Sequence, residues 1–395
     1  MKTIAKLTCV LVGFSALMVW SCKKDDPTTA PLATATTVTT VGSGTASVSV
    51  LSPPDNLSTD DKIILGRALF WDPILSGGKD VACATCHHPN SAYGDGLDLS
   101  LGENAVGLGA NRHFLTPNDV SPTKRNSQTV LNSAYNGMDD KGNYVPENAP
   151  MFWDSRAKGL EAQALGPIAS FEEMRGHGYT EALALDSIVV RLKQIAEYQL
   201  LFQKAFGTNQ ITSSNVAKAI GAFERTLMAH NSPFDQYQRG DKTAMTTQQI
   251  QGMQAFKDEG CDKCHLGDMF SDYQMHVLSV PDNVKLKVSD SGVNGTYAFR
   301  TASLRNVGLT APYMHSGTFQ TLTQVWTFYD NISDGKSQNT KVAMAQVDAK
   351  VKRGGLNNNT RDQIVAFMNS LTDTNFDKSI PSNVPSKLNP GGNIK

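Results

Sequence analysis

This 395-residue chain is predicted to be mainly α-helical, with two compact domains and long loops, on three observations. Apolar residues recur at the three- and four-residue spacing of a helix face in several stretches, most clearly at Val216, Ile220, Phe223 and Leu227. Runs with the period-two alternation of a half-buried strand are sparse. The pentapeptide Cys83-Ala84-Thr85-Cys86-His87 returns as Cys261-Asp262-Lys263-Cys264-His265, so each half of the chain carries the same device.

Two thiols three positions apart, followed at once by an imidazole, form the attachment signature of a c-type haem. On one helical turn the i and i+3 side chains share a face. Both sulfurs can then reach the haem vinyl groups while His87, or His265 in the repeat, turns in to ligate iron. With 6 Cys and 8 His in 395 residues, independent placement yields on the order of 0.002 such matches. Two occurrences are not chance. A thioredoxin-like redox pair and half of a zinc site are the alternatives for the thiols. The expectation is two cytochrome c-like haem domains, with two covalently bound c-type haems.

In chain order, Lys2 and Lys6 precede an apolar run from Leu7 to Trp20 that suits a signal-peptide core and is short for a membrane span. It closes on Val19-Trp20-Ser21-Cys22, resembling a lipoprotein signal (residues 1–22) in which Cys22 is acylated, although Trp20 departs from that pattern. An ordinary cleaved signal is the alternative. Residues 23–54, rich in Thr, Ala, Val and Pro, read as a flexible tether. The expected location is the periplasm of a Gram-negative bacterium, as a membrane-anchored lipoprotein. Cys9 leaves with the signal, Cys22 is the lipid site and the other four Cys carry haem, so none remains for a structural disulfide. A net charge of -1 and a pI near 6.7 argue against a nucleic-acid partner and show no docking patch for a partner protein.

The remaining chain suits two domains, 55–240 and 241–395, with the boundary between Tyr237 and Asp241. Ile63, Ile64, Arg67, Ala68 and Phe70 form a short helical stretch stopped by Asp72-Pro73. From Ser91 to Pro150 the sequence is rich in Gly, Asn and Pro and reads as loop outside the core, able to wrap the open side of a haem. The face at Val216 to Leu227 reads as core packing. Ile250, Met253 and Phe256 form another helical face leading into the second motif. Thr360-Arg361-Asp362-Gln363 reads as a capping box opening a helix faced by Ile364, Phe367, Met368 and Leu371.

With these motifs in place, residues 60 to 372 resemble the bacterial di-haem cytochrome c peroxidase and MauG family. Phe152-Trp153-Asp154-Ser155-Arg156-Ala157 is similar to its Phe-Trp-Asp-Gly-Arg-Ala segment, with Ser155 in place of Gly. Gln163-Ala164-Leu165-Gly166-Pro167 and Glu173-Met174 follow at the family's spacing. So do Ser303-Leu304-Arg305-Asn306 and Thr310-Ala311-Pro312-Tyr313-Met314-His315. The resemblance implies that Glu173 is the acid/base residue over the first haem, that Gln163 and Pro167 shape its pocket, and that Trp153 lies between the haems. It also implies that Asn126, Thr310 and Pro312 hold a calcium ion, and it allows a homodimer. Taken alone, Glu173 would read as a solvated charge and Trp153 as core.

Two departures from the family matter. Where relatives carry a His that caps the first iron, Ser100-Leu101-Gly102-Glu103 places Glu103, which implies an open first haem unless His113 substitutes. Fourteen residues beyond His315, Tyr329 stands where the peroxidases have a Met ligand, as in the MauG-type members. The alternative is a core Tyr329, with Met314 or Met344 supplying sulfur. By resemblance, His87 holds the first iron and His265 with Tyr329 the second, while Glu173 shuttles a proton in peroxide cleavage. Three functions follow. One is reduction of hydrogen peroxide with electrons from a small cytochrome c or cupredoxin. The second is MauG-like oxidation of a partner protein's side chain. The third is electron transfer without catalysis.

Overall fold

The computed structural model describes residues 50–395. The signal, the Cys22 lipid site and the tether before residue 50 lie outside the described residues. What is described is mainly α-helical, as expected. Its strands form three two-stranded antiparallel ribbons: β1 (Ala105–Val106) with β2 (His113–Phe114), β3 (Pro150–Met151) with β4 (Ala157–Lys158), and β5 (Met275–Val277) with β6 (Ala298–Arg300).

Helix α1 (Asp60–Trp71) opens where the Thr59 hydroxyl accepts a hydrogen bond from the Lys62 amide, with Asp60 and Asp61 in the favourable first turn. It stops at Asp72, whose carboxylate caps the Ile74 amide at 2.9 Å. Next come α2 (Cys83–Cys86), α3 (Gly159–Ala169), α4 (Ala184–Lys193), α5 (Ala196–Phe206) and α6 (Ser213–Glu224). The predicted face of α6 is buried at Val216, Ile220 and Phe223, and Leu227 is buried just beyond its end. The first core joins α1, α5 and α6, with Phe70 edge-on to Phe223 at 5.2 Å. A buried side chain of this size contributes about 1.5–3 kcal/mol.

Helices α7 (Pro233–Gln238), α8 (Thr247–Asp258), α9 (Leu322–Ser333) and α10 (Arg361–Ser370) belong to the second half. Phe256, Trp326, Ile364, Phe367 and Leu371 form its core. The two halves repeat one packing device. A Cβ at Gly66 of α1 would come 1.9 Å from the Ala219 carbonyl oxygen of α6, and a Cβ at Gly252 of α8 would come 1.9 Å from the Gln363 carbonyl oxygen of α10. In each half, therefore, the helix preceding the haem motif crosses a later helix backbone to backbone, which leaves no room for any side chain.

Three expectations are corrected. The loop from Ser91 to Pro150 is irregular but not outside the core: Tyr93, Val130 and Leu131 are buried within the first cluster. Thr360 does not form a capping box. A 3₁₀ turn (Asn358–Thr360) runs straight into α10, leaving Thr360 helical, so its hydroxyl donates back to the Asn357 carbonyl at 2.7 Å. Residues 376–394, assigned by sequence to the second domain, return to the first core through Phe376 and Val384. There the Thr85 hydroxyl, between the two motif cysteines, donates to the Gly391 carbonyl at 2.8 Å, and the Asn393 amide donates to the Asp80 carbonyl at 2.8 Å.

Candidate active site

Both pentapeptides line one cavity of about 850 Å³. In the first, α2 is a single helical turn that closes with the His87 amide donating to the Cys83 carbonyl at 2.9 Å. In the second, a 3₁₀ turn (Cys261–Lys263) does the same work, the His265 amide donating to the Cys261 carbonyl at 3.0 Å. His87 Nδ1 lies 3.1 Å from the Tyr93 carbonyl and His265 Nδ1 2.9 Å from the Phe270 carbonyl. A carbonyl can only accept, so each Nδ1 carries the proton and each Nε2 keeps its lone pair for a metal. Burial pushes both imidazoles below their ordinary range, which keeps them neutral and ligand-competent. The four cysteines are unpaired.

A zinc half-site needs further donors. Among the described residues the one cluster of three or more His, Cys and carboxylate donors is Cys264 with Asp272 and His276, and it uses a single motif thiol. Its histidine is already engaged, with Nε2 2.9 Å from Asp272 and Nδ1 2.6 Å from Asp348. Asp272 foremost, then the Cys264 thiol and Asp348, push His276 up to about 10. Each motif thus presents two thiols and a neutral imidazole on one turn, the donor set of covalent haem, and among the described residues neither motif's pair of thiols belongs to a larger metal-ligand cluster.

On the first motif's side, α3 presents Gln163 and Pro167 one turn apart on the cavity wall. A π-helical turn (Phe171–Arg175) then brings Glu173 to the same wall. Such turns are rare and cluster at functional sites. Burial raises the Glu173 carboxyl above its ordinary range, with Arg156 pulling it back and Glu172 adding to the rise. Its backbone is fixed from outside: a Cβ at Gly102 would come 2.2 Å from the carbonyl oxygens of Glu172 and Glu173.

Neither Glu103, which replaces the family's capping His, nor the alternative cap His113 lines the cavity. Glu103 is buried, but its carboxylate accepts from the Gly78 amide at 3.0 Å and leans against Gly176, off the cavity wall. The two glycines leave the space, and the amide supplies the partner. His113 is exposed on β2, its Nδ1 2.9 Å from the Asn111 carbonyl, and it does not line the cavity.

Trp153, Asn126, Thr310 and Pro312 all line the cavity. The Trp153 indole donates to the Asn126 carbonyl at 2.9 Å and sits edge-on to His315, which stacks on Phe299 at 3.4 Å. The Asn126 amide nitrogen donates to the Leu97 carbonyl at 2.8 Å, leaving its side-chain oxygen available. On the second motif's side, α9 brings Tyr329 to the wall. Burial raises its phenol, and the neighbouring Cys261 and Cys264 thiols add to the rise. Met314 also lines the cavity, whereas Met344 does not.

Sequence reasoning missed several residues. Glu224 lines the cavity at 4% exposure, with Oε2 unpartnered. Burial pushes it up to about 8, with Arg225 pulling it back and Glu161 adding to the rise. Its signal was a charge one turn beyond Ile220 on an otherwise apolar face. Arg125 joins Asp290 at 2.6 Å and Asp154 at 2.7 Å, a link between distant segments that no local pattern announces.

A mainly helical chain with two haem-attachment turns opening on one cavity is a di-haem c-type cytochrome with the architecture of a peroxidase. The chain belongs to the di-haem cytochrome c peroxidase family, whose sequence model matches residues 60–243. It is 32% identical over 329 residues to the methylamine utilization protein MauG of Methylorubrum extorquens, covering 82% of this chain and 81% of that one. It is 33% identical over 320 residues to the cytochrome c551 peroxidase of Pseudomonas aeruginosa, covering 78% of each. Among solved structures, a MauG-like protein associated with microbial copper homeostasis superposes with a TM-score of 0.64 at 25% identity, covering 82% of this chain and 94% of that one. Membership makes the protein an oxidoreductase and implies two c-type haems.

Proposed function

We propose that this chain reduces hydrogen peroxide to water with electrons from a small cytochrome c or cupredoxin, in the periplasm. One observation carries the reading: Glu173, with Gln163 and Pro167, faces the first motif across a wall that neither Glu103 nor His113 covers. When bound, the haems supply an iron site for peroxide and the two reducing equivalents. The chain does the rest. Glu173, with its proton affinity raised by burial, takes a proton from the near peroxide oxygen and delivers it to the far one. Each turnover consumes one peroxide, two electrons and two protons and yields two waters. The Trp153 indole, fixed by the Asn126 carbonyl, stands between the two motifs' sides. Asn126, Thr310 and Pro312 offer the oxygen chemistry a calcium ion takes. Anchoring through Cys22 and a homodimer complete this reading.

Tyr329 beside Cys261 and Cys264 favours a second reading, MauG-like oxidation of a partner protein's side chain, because a hard phenolate ligand lowers a haem potential and favours ferric iron. The test is steady-state peroxide consumption by haem-loaded protein with a reduced small cytochrome or cupredoxin. Two donor equivalents oxidised per peroxide is the expected result. No consumption with either donor would overturn the peroxidase reading.

A further inference from the structure

The cavity has an unusual rim. In the loop 281–290, Leu286 lines the cavity wall while its neighbours two residues either side, Val284 and Val288, are 98% and 76% exposed. No other large apolar side chain among the described residues exceeds 56%. The loop is not loose. The Asn283 side chain donates to Asp98 at 2.9 Å and to the Ser316 carbonyl at 2.8 Å, and it accepts from the Lys285 amide at 2.9 Å. Asp290 is gripped by Arg125 at 2.6 Å and Lys124 at 3.2 Å. Two valines are thus held in water by a built scaffold, within a rim of charged side chains.

The charges around them are layered. A chain of ion pairs runs Arg156, Asp154, Arg125, Asp290, Lys124, and a separate pair joins Lys285 to Asp98. Three acids lie beneath, with side chains 2% exposed for Asp290, 16% for Asp154 and 22% for Asp98, while Asp282 in the same loop is half-buried and accepts from the Asp290 amide at 3.2 Å. The cations stand outermost, at 55% for Lys124, 50% for Arg156 and 53% for Lys285, and Lys287 is exposed beside them. The acids sit within ion-pair distance of these cations, well inside the screening length of about 8 Å at physiological ionic strength, so the rim's positive excess comes from Lys287 and from the outward placement of the other cationic groups.

We propose that this rim docks the acidic face of a small redox protein, with Val284 and Val288 as the apolar centre of the contact and the lysines as its steering ring. The proposal rests on the peroxidase reading for the partner's role and names the partner's surface chemistry. An apolar centre inside a polar, complementary rim is the usual anatomy of a protein contact. An acyl-chain surface fits less well, because the loop offers two valines and no aromatic side chain. Contact here also places the partner against the wall formed by Leu286.

The test is an NMR titration of reduced plastocyanin, an acidic cupredoxin, with the haem-loaded protein at low salt. A basic mitochondrial cytochrome c serves as the opposite-charge control, and phosphatidylglycerol vesicles as the membrane control. The variants are Lys285→Glu/Lys287→Glu and Val284→Asp/Val288→Asp, each required to retain wild-type peroxide turnover with hydroquinone. Saturable plastocyanin binding, weakened at least about tenfold in both variants and by about 0.5 M salt, supports the proposal. Unchanged affinity in either variant overturns it. So does preference for the basic cytochrome, or loss of vesicle binding in the variants without loss of plastocyanin binding. Absence of hydroquinone-driven turnover in the wild type would instead defeat the peroxidase reading and leave the titration interpretable.

Discussion

Replacing Glu224 by Gln should stabilise the protein, increasingly so as the pH rises. The carboxyl is 4% exposed with Oε2 unpartnered, and burial pushes it from the 4.5 of an ordinary glutamate to about 8. The unfolded chain loses this proton near pH 4.5 and the folded chain keeps it until about 8. Between those values the unfolded state binds fewer protons, so stability falls as pH rises and stays lowered above the folded value. The accumulated loss is about 5 kcal/mol. Glutamine has the same shape and no charge to suppress, so it escapes that loss. At roughly 2 °C per kcal/mol for a chain of this size, the variant should melt about 10 °C above wild type at pH 8 and close to it at pH 5. Circular dichroism melts of the haem-loaded proteins at intervals between pH 5 and 9 measure this. Parallel stability curves for the two proteins would refute the assignment of Glu224 as a buried, proton-holding carboxyl.

Glu173→Gln should keep both haems and the fold yet lower peroxide turnover by about 10²- to 10⁴-fold, the range for a lost acid/base group. Haem content and steady-state turnover of purified variant check it together. Arg125→Ala leaves Asp290 and Asp154 without their shared partner, although Lys124 still reaches Asp290, and should cost about 3–5 kcal/mol in urea denaturation. Partial recovery in Arg125→Lys is expected. Tyr329→Phe should change the near-infrared magnetic circular dichroism of the second haem, whereas a methionine-to-iron band unchanged between wild type and variant would assign the ligand to Met314 instead.

What could be read from the sequence was what short spacing encodes. The two haem pentapeptides, the apolar face of α6 and the stop at Asp72-Pro73 each depend on residues within a turn or two of one another, and local geometry fixes them. Glu103 could be placed in its loop but not aimed, because its direction is set by a backbone amide at Gly78 and the space at Gly176, both remote in sequence. Thr360 failed as a cap for a nearer reason, since the 3₁₀ turn before it had already made it helical. Tyr93 and Leu131 sit among glycines and asparagines that signal loop, yet the first core needs their volume. The Arg125 to Asp290 pair joins segments 165 residues apart and leaves no periodic trace. Glu224 was legible in principle as a charge on an apolar stripe, and its meaning emerged with the cavity it faces.

The irregular return of residues 376–394 to the first core joins residues that lie far apart in the sequence. The motif at Cys83 to His87 is made early, but Thr85 acquires its partner Gly391, 306 positions later in the sequence, and Asp80 its partner Asn393 beyond that. The second motif, made later, draws its helix partner from residues 361–370, which also precede the tail. The second motif's packing partner therefore precedes in sequence the segment that completes the hydrogen bonds of the first. Loss of residues 376–394 should therefore be felt first far away in the sequence, as weakened packing around Cys83 and Cys86.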